Sequence, residues 1–246
     1  MAHHWRRWLR SLPQALGQAL LPSSCALCGA LCDGAVCRPC HARFVTPTAR
    51  CPRCANPVGA ADAGRECAAC LSRRPAFDAT VAAADYCAPL DRLVLQLKFG
   101  GTLALAPWCA KMLRDSVLGQ RDFVLPHVLC PVPLGPQRLI ERGFNQALEI
   151  ARPLARDLGI GLRAQLAIRV RETLAQSGVS LEQRRRNLRH AFTLAPDALA
   201  MVRDQHIGIV DDVMTSGHTL DELAALFKRF GAARVSNFVF ARTPPH

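Results

Sequence analysis

The chain has no uninterrupted run of the roughly 18 apolar residues that a membrane-crossing helix needs, so no membrane span is predicted. Acid is scarce: 19 Asp and Glu stand against 31 Lys and Arg, for a formal charge of +12. That imbalance favours anionic partners, phosphorylated metabolites or nucleic acid, without choosing between them. Aromatic residues make up only 6%. Few of them interleave with the most basic stretch, Arg184, Arg185, Arg186 and Arg189, which removes support for stacking onto bases there. No Ser/His/Asp or Cys/His arrangement announces a protein nucleophile. The amino terminus places Arg6, Arg7 and Arg10 before residues 12–21 and so imitates an export signal. Pro13, Gln14, Gly17 and Gln18 break its apolar part, and no small-x-small cleavage site follows, so it is not read as one.

What is present is enough for a substantial core and a small module. The chain has 246 residues, half of them apolar. Residues 1–24 carry Trp5, Trp8, Leu9, Leu12, Leu16, Leu20 and Leu21 at spacings that suit an amphipathic helix with arginines opposite. Packing on the protein's own core is the expected role; contact with a membrane surface or a partner is the other.

Residues 25–72 hold the strongest chemical signal, four C-x-x-C pairs among twelve cysteines: Cys25/Cys28, Cys37/Cys40, Cys51/Cys54 and Cys67/Cys70. Two intervening residues let both thiolates reach one ion from a tight knuckle, and two knuckles complete a tetrahedral sulfur site. The spacing predicts two structural zinc sites in series, with a crossed pairing as the alternative. Little else in the segment could build a core, so metal would supply its folding energy. Cys32 and His41 are spare candidates. Cys87, Cys109 and Cys130 sit singly among apolar residues and read as small core side chains. Arg73, Arg74 and Pro75 close the module.

From residue 75 to 246 strands and helices alternate as in an α/β protein with a mostly parallel sheet. Strands are expected at 77–86, 127–130, 166–170, 204–212 and 233–241. Helices are expected at 89–99 and 103–113, following the segment 138–146 as far as about 158, and at 221–230. Arg242 opens a short polar tail.

The chemistry concentrates in residues 206–219, HIGIVDDVMTSGHT. An apolar strand runs into two adjacent acids, Asp211 and Asp212. A small turn follows, Met214, Thr215, Ser216, Gly217, His218 and Thr219, and then a helix. Backbone N–H groups at a helix start are unpaired and favour anions. The hydroxyls add donors, and Gly217 allows close approach of the backbone to a ligand. That half suits a phosphate; the two acids suit sugar hydroxyls or a ligand-bound cation. A phosphorylated sugar supplies both.

Residues 209–219 resemble the phosphoribosyl pyrophosphate (PRPP) signature of type I phosphoribosyltransferases. The Val132-Pro133 strand end, Arg138, Arg142 and Gly143-Phe144-Asn145-Gln146 match a second hallmark, and the chain from 25 to 241 resembles the ComF family. That resemblance implies a type I phosphoribosyltransferase-like fold behind an amino-terminal double zinc ribbon. It implies PRPP with Mg²⁺ as ligand, Asp211 and Asp212 on the ribose hydroxyls, and residues 214–219 on the 5′-phosphate. Lys98, Arg138 and Arg142 would then face pyrophosphate, Asn145 would join the PRPP site with an amide suited to a base, a backbone or a nucleic acid, and residues 171–178 would be a loop that closes over the pyrophosphate. Asp211, Asp212, Lys98 and Arg142 are the expected catalytic set. Partners implied are single-stranded DNA and other competence proteins, in the cytoplasm at the inner face of the membrane. Whether the chain turns PRPP over, or only binds it beside DNA, is left open by these residues. One departure is Ser216, where many relatives of the wider fold carry a second threonine; the hydroxyl is retained.

Overall fold

The computed structural model describes residues 23–120, 122–170 and 191–244. The proposed amphipathic segment and the basic stretches at 171–178 and 184–189 lie outside them. The chain forms two compact units, Met1–Thr46 and Pro47–His246. The sequence grouping placed both cysteine clusters in one module ending near residue 72. The structure divides them, because the second cluster shares its core with the sheet.

The first unit joins a two-residue antiparallel ladder, β1 (Ser23–Ser24) with β2 (Leu31–Cys32), to a short helix α1 (Arg38–Phe44). Its small core is Cys25, Cys37 and Cys40, flanked by Leu27, Val36 and Phe44.

The second unit begins with α2 (Ala68–Ser72) and then builds a five-stranded, wholly parallel sheet. Its strands are β3 (Ala79–Asp85), β4 (Val128–Pro131), β5 (Gly161–Leu162), β8 (His206–Met214) and β9 (Arg234–Arg242), in the order β3-β9-β8-β4-β5. A one-turn helix, α7 (Leu199–Val202), leads into β8. The strands are apolar almost throughout, as expected where both faces are covered. On β9, Val235 and Val239 share a core with Leu223 and Phe227 of α8 (His218–Arg229). The alternate residue Phe240 meets Trp108 of α4 (Leu105–Leu118) edge to face, ring centroids 5.6 Å apart. This period-two alternation puts α8 on one face and α4 on the other. Helix α6 (Gln146–Leu158) packs beside α4.

Two differences from the sequence reading have local causes. The segment at 138–146, expected to lead into the helix that ends near 158, carries a helix of its own, α5 (Pro136–Arg142), which Gly143 ends with a left-handed φ of +76° before α6 begins. The segment read as a strand at 166–170 does not enter the sheet. It forms β6 (Ala167–Arg169), which pairs antiparallel with β7 (Phe192–Leu194).

Strand order positions the site. From β4 the chain leaves through α5 and α6 to β5, away from β8; from β8 it leaves through α8 to β9, away from β4. The crevice between the carboxyl ends of β4 and β8 is therefore the topological switch point, where ligands of such sheets bind.

At the opposite end of β8, His206 is buried, its Nε2 lying 2.8 Å from Ser236 Oγ. Burial, with Arg234 and His127 nearby and only Asp78 opposing through charge, lowers its pKa from 6.5 to about 4. The unfolded chain thus takes up this proton near pH 6.5, while the folded chain refuses it until about pH 4. Stability should fall by about 3 kcal/mol as pH drops through that window. Denaturant titrations at pH 7, 5.5 and 4 should show this slope, and His206→Gln should remove that part of it.

Candidate functional site

β8 delivers Asp211 and Asp212 to the switch point. Asp212 is 2% exposed, and the Lys98 ammonium, from the end of α3 (Leu90–Phe99), comes within 2.8 Å of its Oδ2. The contact is electrostatic, since that oxygen accepts no hydrogen bond of good geometry. Asp211 Oδ1 accepts the backbone N–H of Asp212 at 2.9 Å. Burial and the neighbouring Asp212 carboxylate push the Asp211 carboxyl well above its usual range, with Lys98 opposing. The pair therefore resists holding two negative charges until a cation or hydroxyl donors arrive.

Arg142 closes the other side. It belongs to α5, directly after β4, and its guanidinium lies over the Phe99 ring at 5.2 Å. Nη1 donates to the buried Gln146 amide oxygen. Burial lowers its pKa, while Asp212 and Asp211 act to raise it. Lys98 and Arg142 thus gather positive charge around two acids, of which burial and its neighbour hold Asp211 toward the neutral form. Arg138 is one helical turn from Arg142 and half-buried. Lys98 is already engaged with Asp212, so a ligand phosphate there would compete with that carboxylate.

The turn after β8 has the features of an anion cradle. Gly217 is the N-cap of α8 with φ +79°, and no side chain caps the first turn. Its conformation and packing both demand glycine, since a Cβ there would lie 2.6 Å from Met214 Cε. The acid of the first turn, Asp221, is occupied elsewhere, its Oδ1 accepting Ala76 N–H at 2.7 Å. Thr215 and Ser216 are exposed, and Ser216 Oγ is 3.0 Å from His218 Nδ1. First-turn amides, hydroxyls and an imidazole therefore share one short turn.

Asn145 proves to be a structural residue. Its Oδ1 accepts from Ala147 and Leu148 as the N-cap of α6, and its Nδ2 donates to Val132 O at 3.0 Å. Both ends of the amide serve the chain, pinning α6 to the exit of β4.

Sequence reasoning missed Arg242. It closes β9, is 6% exposed, and donates to the carbonyls of Cys54, Met214, Thr215 and Thr243. The available signal was an arginine ending an apolar strand, which burial requires to be fully hydrogen-bonded.

The cysteine clusters are serial: Cys25, Cys28, Cys37 and Cys40 form one, and Cys51, Cys54, Cys67 and Cys70 the other. Each couples a knuckle to a helix start. Cys37 and Cys67 are the N-caps of α1 and α2, and their N–H groups donate to Cys25 Sγ and Cys51 Sγ, both at 3.3 Å. The residue after each first knuckle is left-handed, Gly29 at φ +77° and Ala55 at +56°. Sulfur separations of 3.7 Å for Cys28–Cys37, 3.6 Å for Cys54–Cys67 and 4.0 Å for Cys51–Cys70 are far beyond a disulfide. They match the edge of a tetrahedron with Zn–S near ~2.3 Å, about 3.8 Å. Burial acts to raise the Cys25 thiol, but backbone donors from Cys37, Cys28 and Leu27 outweigh it and bring it to about 6. Burial and the neighbouring cysteines push Cys40 up to about 12. Cys25 supplies the first thiolate, and metal would displace the remaining protons. Cys32 stays outside both sets, its Sγ donating to Gly34 O, and His41 joins neither.

Comparison with known proteins agrees with this architecture. The family model for the phosphoribosyl transferase domain matches residues 145–245. The carboxyl-terminal part of the chain is thus of the phosphoribosyltransferase class of α/β folds, and two sets of four cysteines able to hold a metal ion precede it. The DNA utilization protein YhgH of Salmonella typhi is 37% identical over 91% of this chain and 98% of the relative. Competence protein F of Haemophilus influenzae is 32% identical over 72% of this chain and 79% of the relative. The chain belongs to the ComF family. Among solved structures, an allosteric regulatory enzyme of purine biosynthesis is 18% identical over 56% of this chain and 25% of that one, with a TM-score of 0.35. No helix among the described residues is long and apolar enough to cross a membrane.

Two measurements check this description. Lys98→Met leaves Asp212 buried without its partner and should cost about 2 kcal/mol, after discounting for the partial exposure of Lys98. Lys98→Met with Asp212→Asn should recover most of that loss in urea titrations; equal losses in the single and double variants would show that the ion pair is not the cause. Elemental analysis should find close to two zinc ions per chain, and Cys67→Ser should remove one.

Proposed function

We propose that the switch-point crevice binds PRPP with Mg²⁺ and that the protein acts on internalised single-stranded DNA in the cytoplasm. The supporting observation is one juxtaposition: the half-buried Asp211 and buried Asp212 at a strand end, an uncapped hydroxyl-rich turn directly after them, and two cations near the acids. Asp211 and Asp212 would take the ribose hydroxyls, residues 214–219 the 5′-phosphate, and Lys98, Arg142 and Arg138 the pyrophosphate. Asn145 contributes by holding α6 rather than by touching ligand. Mg²⁺, when bound with PRPP, would neutralise pyrophosphate charge and prefer oxygen ligands. The chain's residues bind and orient. As an acceptor's lone pair bonds to the anomeric carbon and the bond to pyrophosphate breaks, the acids stabilise the cationic ribose and the two cations the departing charge. The DNA role is supported by the names of the relatives, DNA utilization protein and competence protein F, and by the charge of +12. Docking with other competence proteins at the inner membrane face belongs to the same proposal.

Calorimetric titration should show PRPP binding that requires Mg²⁺. Replacing Asp211 and Asp212 together by Asn should weaken it about tenfold or more, since each loses a charged hydrogen-bond acceptor. Unchanged affinity in that variant would remove the site assignment. Pyrophosphate release measured against bases and single-stranded DNA separates turnover from binding alone. A DNA affinity that falls steeply with salt would mark phosphate contacts.

A further inference from the structure

The phosphate turn and the second cysteine cluster share one buried guanidinium. Arg242 Nε donates to Cys54 O at 2.9 Å. Its Nη1 donates to Met214 O at 3.0 Å, to Thr243 O at 2.6 Å and to Thr215 O. Met214 and Thr215 lead into the turn, and Cys54 belongs to the second set of four cysteines. A second link runs in parallel. Ala76 N, six residues beyond Cys70, donates to Asp221 Oδ1 on the first turn of α8 at 2.7 Å.

Between these links lies a cavity of about 390 Å³, with Cys54, Cys70 and Phe77 on one wall and Met214, Gly217 and His218 on the other. Met214 shares a buried core with Cys54, Cys70 and Phe77, and the hydrogen bonds from Arg242 and to Asp221 add direction to that packing. The position of Cys54 O depends in turn on the knuckle geometry that four thiolates on one ion enforce. A planar fork can serve several carbonyls at once; an ammonium cannot reproduce that geometry.

We infer that Arg242 is a positioning residue for the phosphate turn, and that metal at Cys51, Cys54, Cys67 and Cys70 orders residues 214–219 through it. The inference rests on reading that turn as an anion cradle, and it makes the second cluster part of the binding site's support.

The test is hydrogen exchange on the full zinc-loaded chain, for wild type, Arg242→Lys, Arg242→Met and Cys67→Ser, with PRPP–Mg²⁺ titrations alongside. Exchange at amides 215–219 should rise about tenfold in each variant, while the amides of Leu105–Leu118 stay protected. Zinc should remain near two per chain in the Arg242 variants, separating loss of the strut from loss of metal. PRPP affinity should fall about tenfold, as expected for lost hydrogen bonds to a charged donor. Arg242→Lys keeps the charge and serves if Arg242→Met does not fold. A folded Arg242→Lys protein with two zinc ions, wild-type exchange at 215–219 and wild-type affinity overturns the inference. If the wild type itself binds no PRPP, the proposed function falls, and the exchange data alone decide the strut.

Discussion

Two neighbouring carboxylates at the end of a buried parallel strand impose the constraint that the switch-point end of this protein satisfies. Asp212 is 2% exposed, and burial already drives the Asp211 carboxyl upward. Such charge persists inside a protein only when paired. Lys98 supplies that pairing for Asp212 and Arg142 adds positive charge nearby, both from helices remote in sequence that the sheet order brings together. Because β4 lies beside β8, the helix that leaves β4 hangs over the acids. The break at Gly143 then lets Asn145 restart the chain as α6 while Arg142 stays at the crevice.

The two cysteine clusters follow one local recipe, a knuckle followed by a helix start, yet belong to different compact units. The first closes on a core of three cysteines and a few neighbours. The second merges with the main core, tied down by arginines: Arg50 to Asp85 at 2.7 Å, Arg53 to Glu66 at 2.8 Å and to Phe77 O, and Arg242 to Cys54 O. Part of the basic excess is therefore internal scaffolding. Because Arg50 and Arg53 are paired with Asp85 and Glu66, they leave the net charge of +12 unchanged.

Much of the site could be read along the chain because its elements are contiguous. An apolar strand, two acids, a hydroxyl-rich turn and a helix occupy residues 206–219, and nearest-neighbour chemistry was enough. The C-x-x-C spacings were legible for the same reason, since each knuckle is a local geometry. Asn145 was misjudged because an amide suited to ligand is equally suited to capping a helix, and only the position of Val132 O decides between them. Residues 166–170 were read as a sheet strand because their apolar pattern says nothing of which edge they pair with.

The sequence by itself determined the parallel α/β class, the four C-x-x-C knuckles and the acid–turn–helix motif, all of them consequences of periodicity and short spacing; the serial pairing of the knuckles came from the tertiary structure. Only the tertiary structure decided that Lys98 pairs with Asp212, that Arg142 stacks on Phe99, and that Arg242 links the phosphate turn to a cysteine 188 residues away. The reason is physical. Local backbone geometry is encoded within a few residues, whereas the partner of a buried charge is chosen by the order of strands in the sheet and by which carbonyls burial leaves without a donor.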